Sequence, residues 1–153
     1  MTMGKVTMDV NLRYLIGVVA VVGVIVLVLR NPQEDAVRWT KQTFETLVSG
    51  RSSVQARIAW ERLSAVGVDV GATYTKLPNA REQAQYRQAF LRELASGFRR
   101  SGARAESFVN WRIMEQSDEA IVVAADFPAK QKTLLLTVSD GKPRQVTGIR
   151  WQE

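Results

Sequence analysis

The chain has 153 residues, with 21 lysines and arginines against 15 aspartates and glutamates, and therefore a net charge of +6. It contains no cysteine and no histidine, which excludes disulfides and thiol chemistry and removes the commonest acid–base group and metal ligand. The positive charge is spread along the chain without a basic cluster or interleaved aromatic residues, so no nucleic-acid partner is expected.

An uninterrupted apolar run extends from Tyr14 to Leu29, between Arg13 and Arg30. As a helix it would be about 24 Å long, and arginines that snorkel to the headgroups bring it close to the ~30 Å hydrocarbon core of a bilayer. The run lacks the polar face of a core helix in a soluble domain and the small residues of a signal-peptidase site. We predict a short polar tail over residues 1–13 and a transmembrane helix over residues 14–30, with membrane lipid as its partner.

Residues 31–153 are long enough for one domain with its own core. The basic residues on the two sides of the apolar run are balanced, so charge alone does not orient the protein. A short N-terminal tail that stays in the cytoplasm is the commoner arrangement for such an anchor. We therefore predict a single-pass protein of the inner (plasma) membrane whose C-terminal domain is extracytoplasmic.

Three capping signals predict three helices in this domain. They are Asn31 followed by Pro32, Ser52 followed three residues later by Gln55, and Asn79 followed three residues later by Glu82. The helices are predicted to run from residue 32 to about 50, from 52 to about 66 and from 79 to about 100. Residues 68–76 alternate weakly and predict a short strand or an extended loop. The third helix carries an apolar row at i, i+4 spacing, formed by Tyr86, Phe90, Leu94 and Phe98.

After residue 102 the apolar period changes from 3.6 to 2, which is typical of strands. Four strands are predicted, at about 107–114, 121–127, 134–138 and 146–151, and turn signals separate them. Links this short require antiparallel neighbours. Gly148 lies inside the last strand and is a candidate bulge.

This order of elements, with the closing segment from Lys142 to Trp151, resembles the nuclear-transport-factor-2-like (cystatin-like cone) superfamily. The resemblance implies an α+β domain in which three helices pack on a bent antiparallel sheet and the third helix lies inside a cone. A membrane anchor followed by such a domain is similar in architecture to the bitopic scaffold proteins of type IV secretion and conjugation systems. No sequence motif ties the chain to those systems.

Enzymes of this superfamily place an acid–base pair, often Asp with His or Tyr, in the pocket between helix and sheet. Without histidine, the candidates that remain are Asp69, Tyr74, Tyr86 and Asp126. Asp126 follows an apolar strand, and a solvated side chain at the strand end is the simpler interpretation. No acidic cluster has metal-ligand spacing and no glycine-rich phosphate loop is present. We predict no catalytic residue, no metal and no cofactor.

The sequence thus favours a non-enzymatic scaffold or assembly subunit of an envelope complex, as a homodimer or in a larger protein complex. A dimer surface on the sheet could use Phe108, Ile121 and Leu135. The alternative is a small-ligand-binding domain whose cavity is lined by Tyr86, Phe90, Trp111 and Asp126. A third interpretation keeps the domain in the cytoplasm, with its arginines against anionic lipid. Cavity volume discriminates between the first two, because aromatic side chains that fill the cone would leave no ligand site.

Overall fold

A computed structural model describes residues 32–152. The predicted anchor over residues 14–30 and the Asn31 cap lie outside the described residues. Within residues 32–152, no helix combines the length and the apolar content that crossing a bilayer requires. Helix α1 spans Pro32–Val48 and confirms the first predicted helix. It buries one face, which includes Phe44 and Leu47, as its apolar spacing predicts.

The second predicted helix, over residues 52–66, is wrong. The segment instead forms two 3₁₀ turns, Ser52–Arg57 and Trp60–Arg62, followed by the two-residue strand β1, Ser64–Ala65. Ile58 makes a parallel bridge to Val146, and the Ala59 amide donates to the Val146 carbonyl at 3.0 Å. Pairing with the last strand therefore takes the backbone groups that a helix would have used.

The predicted short strand or extended loop at residues 68–76 is correct only at its start. Strand β2 is Val68–Asp69, and helix α2, Val70–Tyr74, follows directly. The Asp69 carboxylate caps α2 by accepting from the Ala72 amide at 2.9 Å. A Cβ at Gly71 would collide with the Glu61 carbonyl oxygen, so only glycine allows α2 to lie against the preceding turn.

Helix α3, Ala80–Arg100, confirms the third predicted helix. Asn79 Oδ1 accepts from the Glu82 amide at 2.9 Å, which confirms the predicted cap. The Glu82 carboxylate accepts from Asn79 Nδ2 at 3.0 Å, so it bonds to the side chain of the cap residue. Gly102 follows the helix with a φ of 76°, the left-handed conformation typical of a helix end.

The sheet has six strands in the order β2-β1-β6-β5-β4-β3. Strands β3 to β6 form the predicted antiparallel meander, and their bounds are Val109–Gln116, Ala120–Phe127, Lys132–Ser139 and Val146–Trp151. The prediction of a purely antiparallel sheet is wrong, because β1 pairs in parallel with β6. The register between β5 and β6 shifts beside Gly148, as the predicted bulge requires, and a Cβ there would lie 3.0 Å from Thr137 Oγ1.

The core lies on one face of this sheet. Alternate residues of the central strands point into it, among them Val123 and Phe127 from β4 and Leu134 and Leu136 from β5. Six aromatic rings, from Phe44, Phe98, Phe108, Trp111, Phe127 and Trp151, pack together between helix and sheet with centroids 4.7–6.3 Å apart. Burying each such side chain contributes about 1.5–3 kcal/mol. The described domain is thus an α+β fold whose interior is filled with aromatic residues.

Candidate functional site

An apolar groove of about 450 Å³ runs beside α3, and we call it the α3 groove. One wall is a single face of α3, and the other wall is the β1–β2 hairpin with the end of β6. The described residues that line it are Ala65, Val66, Val68, Phe90, Glu93, Leu94, Gly97, Phe98, Ser101 and Trp151. Most of these are apolar, as is typical of binding sites in proteins.

The helical wall follows from the spacing of its residues along α3. Its members recur at intervals of three and four from Phe90 to Ser101, so they occupy one face of the helix over three turns. Phe98 lines the groove, and its ring centroid lies 6.3 Å from that of Trp151, which also lines it. The Ser101 hydroxyl donates to the Phe98 carbonyl at 2.7 Å, so its proton is already used within the chain.

The hairpin wall leaves apolar surface in contact with solvent. Val66 and Val68 are 49 % and 56 % exposed, although both are large aliphatic residues. The Val66 amide donates to the Ile149 carbonyl at 2.7 Å, which pins the hairpin to β6 and fixes the position of the rim. Apolar groups held half-exposed along the rim of an apolar groove mark a surface on which a second molecule can be buried.

The predicted cavity residues lie in three different places. Phe90 lines the α3 groove, and Tyr86 stacks on Phe90 with a centroid distance of 6.4 Å without lining it. Trp111 packs on Phe44 in the aromatic core, where its indole N–H donates to the Phe108 carbonyl. Asp126 lies between two core residues of β4, so its side chain is on the outer face of the sheet.

The predicted dimer surface consists of side chains that the chain itself covers. Phe108 and Ile121 are 3 % and 2 % exposed and belong to the aromatic and aliphatic core. Leu135 is buried as well, although it points to the outer face beside Ala124 and Arg150. A second copy could reach none of these three without displacing neighbouring residues.

Three of the four candidate acid–base side chains make hydrogen bonds within the fold, and the fourth, Tyr86, packs its ring against Tyr74 and Phe90. Asp69 caps α2, and the Tyr74 hydroxyl accepts from Arg87 Nη1 at 2.6 Å, which joins α2 to α3. Asp126 accepts from Arg112 at 3.0 Å, from Thr133 at 3.1 Å and from Asn110 at 3.2 Å. These hydrogen bonds lower the pKa of the Asp126 carboxyl, with the Asn110 bond as the largest cause. Within residues 32–152 no group of three or more acidic side chains is placed to hold a metal ion.

The sequence does not predict the hairpin wall, because the helical pattern of residues 52–66 places Val66 in the second predicted helix. The segment Ala65-Val66-Gly67-Val68 does carry a hairpin signal, with glycine second in a two-residue turn between apolar residues. Gly97 could also have been noticed, because glycine inside a strong helical pattern needs a reason.

Comparisons with protein-family models, with curated proteins and with solved structures find nothing that matches this chain.

Proposed function

We propose that this protein is a membrane-anchored, non-enzymatic scaffold or assembly subunit of an envelope complex, whose extracytoplasmic domain has a nuclear-transport-factor-2-like cone architecture. The observation that carries the proposal is the α3 groove, with its half-exposed Val66 and Val68 on the rim. Because burial of apolar surface is favourable, binding of a partner that covers this surface is stabilised.

Two features of the sequence support the membrane anchor and the absence of catalysis. The apolar run from Tyr14 to Leu29 has the composition of a transmembrane helix. The chain has neither histidine nor cysteine, and the carboxylate of Asp126 is occupied by three hydrogen bonds on the outer face of the sheet. The element order from α1 to β6 supports the cone by analogy of fold alone.

Cysteine labelling in cells tests the location of the domain. Asp118 is exposed in the β3–β4 turn, whereas the neighbouring Ser117 hydroxyl holds that turn together, so Asp118→Cys is the better labelling site. The protein has no native cysteine, so background labelling is absent. We expect a membrane-impermeant maleimide to label Asp118→Cys in intact cells and the matched control Thr2→Cys only after lysis. The reverse pattern would place the domain in the cytoplasm and contradict the proposal.

Assembly is tested on the full-length protein solubilised in a mild detergent. We expect a complex larger than one copy, measured by light scattering with the detergent contribution subtracted. A protein that is monomeric both in detergent and after chemical crosslinking in cells would contradict a scaffold role.

A second candidate function is the binding of a small apolar ligand, and the volume of the α3 groove favours it. A volume of about 450 Å³ falls within the ~300–1,000 Å³ range of small-molecule sites. Native mass spectrometry of the full-length protein would reveal a stoichiometric small molecule. Its presence, together with a monomeric protein, would favour this function over the scaffold.

A further inference from the structure

Val66 has a backbone conformation that its side chain disfavours. Its φ is 51°, in the left-handed region, and with Gly67 at 80° it forms a two-residue turn between β1 and β2. Asn, Asp or Gly is the usual first residue of such a turn, because a β-branched side chain there is strained by about 1–3 kcal/mol. Among residues 32–152, Val66 is the one β-branched residue with a positive φ.

Gly97, on the helical wall of the α3 groove, is a second residue that lowers local stability. It lies inside the 21-residue helix α3, where glycine is less stable than alanine by about 0.5–1 kcal/mol. A Cβ at Gly97 would meet nothing within 4 Å, so packing within the described chain does not require glycine there. Gly71 is the contrast, because the carbonyl of Glu61 leaves no room for a side chain at that position.

Val66 and Gly97, each of which departs from its local conformational preference, thus both line the α3 groove. Such departures concentrate at functional sites, where the rest of the structure offsets their cost. Valine at the rim adds apolar surface that asparagine would remove, and glycine in the wall lets another backbone approach closely. We infer that the α3 groove is the docking site for an amphipathic helix of a partner protein, with a basic residue of that helix beside Glu93. This inference rests on the proposed interaction function.

The dimensions of the groove fit a helix. Its helical wall is about 16 Å long, which corresponds to roughly three helical turns. Its volume of about 450 Å³ is about three times the ~150 Å³ cavity that takes one benzene-sized group, enough for large side chains at i, i+3 or i+4, and i+7. Strand addition is a poorer fit, because β2 has only two residues and the groove is walled by side chains.

The polar groups of the groove select the charge and the class of the occupant. Glu93 is the one ionisable residue among its described lining residues and is exposed, so it favours a cationic neighbour and disfavours an anionic one. A few convergent polar groups orient the ligand in a typical small-molecule site, whereas here the proton of the Ser101 hydroxyl is already donated within the chain. A small ligand would also leave the outer surfaces of Val66 and Val68 in water.

The test uses the full-length protein in nanodiscs of neutral lipid, with empty nanodiscs as the baseline. The probe is a dye-labelled helical peptide of roughly 15 residues, with leucines at i, i+3, i+4 and i+7 and a lysine beside them. Binding is measured by fluorescence anisotropy. A second peptide has glutamate in place of the lysine, and a long-chain alcohol serves as the small apolar competitor.

Three variants give the expected pattern. Gly97→Leu fills the groove and should weaken peptide binding at least tenfold. Val66→Asn removes a half-exposed side chain and should weaken binding about fivefold, with an unfolding midpoint equal to or above that of the wild type. Glu93→Gln should abolish the preference for the lysine peptide over the glutamate peptide. Met114→Asn removes an exposed apolar residue from β3, away from the groove, and should leave binding unchanged.

Three results would overturn the inference. One is peptide binding that Met114→Asn weakens as much as Gly97→Leu does. Another is the absence of peptide binding, and saturation by the long-chain alcohol in that case would make the groove a small-ligand site. The third is a dimer that Val66→Asn dissociates while the peptide fails to compete, which would make a second copy the occupant. Cysteine labelling is independent of all three results. A wrong inference about docking in the α3 groove can therefore be distinguished from a wrong membrane topology in the proposed function.

Discussion

Arg112 Nη1 lies 3.0 Å from Asp126 Oδ1, so an ion pair joins the edge strand β3 to β4 on the outer face of the sheet. Asn110 on the same edge strand and Thr133 on β5 donate to the same carboxylate. Arg112 Nη1 also donates to the carbonyl of Asn110, at 2.9 Å. One carboxylate thus connects three neighbouring strands and holds the bulged edge strand in register.

The pH dependence of stability follows from the Asp126 carboxyl. The pKa of this carboxyl is lower in the folded protein than the ordinary value of 3.8. The ionised carboxylate therefore stabilises the fold at neutral pH, and this stabilisation is lost as pH falls through the folded pKa. We expect Asp126→Asn to lower the unfolding midpoint at pH 7 and the difference from wild type to shrink below about pH 4. Asp118→Asn, in the exposed β3–β4 turn, is the control. If Asp126→Asn lowers the unfolding midpoint as much at low pH as at pH 7, this account is contradicted.

The aromatic core gives the largest expected effect of a single substitution. Phe44 is fully buried, and its ring lies edge-on to Phe98 and Phe108 at 5.3 and 4.7 Å. Phe44→Ala should reduce the free energy of unfolding by about 3–5 kcal/mol. Tryptophan fluorescence of the full-length protein measures this, since all four tryptophans lie within residues 32–152. Met114→Ala, at an exposed position, should cost less than about 0.5 kcal/mol.

The N-cap of α3 contributes a smaller amount. Asn79 satisfies the Glu82 amide, one of the otherwise unpaired donors of the first turn. Asn79→Ala should therefore destabilise the protein by about 1 kcal/mol, and Asn79→Asp should restore most of that loss, because aspartate also accepts from the amide and suits the helix dipole. If alanine and aspartate behave alike in urea unfolding, the cap does not act as described.

Substitution of Gly71 and of Gly97 by alanine should change the stability of the protein in opposite directions. Gly71→Ala pushes a methyl group against the carbonyl of Glu61 and should destabilise the protein by about 1–3 kcal/mol. Gly97→Ala enters open space inside a helix and should stabilise it by about 0.5–1 kcal/mol. Urea unfolding of the full-length protein compares them directly, and two changes of the same sign would refute the distinction.

Elements whose signals are local could be predicted from the sequence. The α3 start signal at Asn79, the i, i+4 row from Tyr86 to Phe98 and the four alternating strands all describe what a segment does with its own neighbours. The α1 helix and the antiparallel order of β3 to β6 could be predicted for the same reason. Sequence also established the apolar run from Tyr14 to Leu29 and the lack of histidine and cysteine.

Tertiary structure determined the conformation of the segment between α1 and α3. It thereby also determined the α3 groove, because this segment forms one of its walls. Residues 52–66 carry a helical pattern, yet hydrogen bonding of Ala59 and Val66 to β6 converts them into turns and a parallel strand. Their partners lie more than eighty residues later in the chain, so no local pattern could reveal them. The outward orientation of Asp126, the burial of Phe108 and the presence of Val66 and Gly97 in the lining of one groove likewise depend on contacts between distant segments.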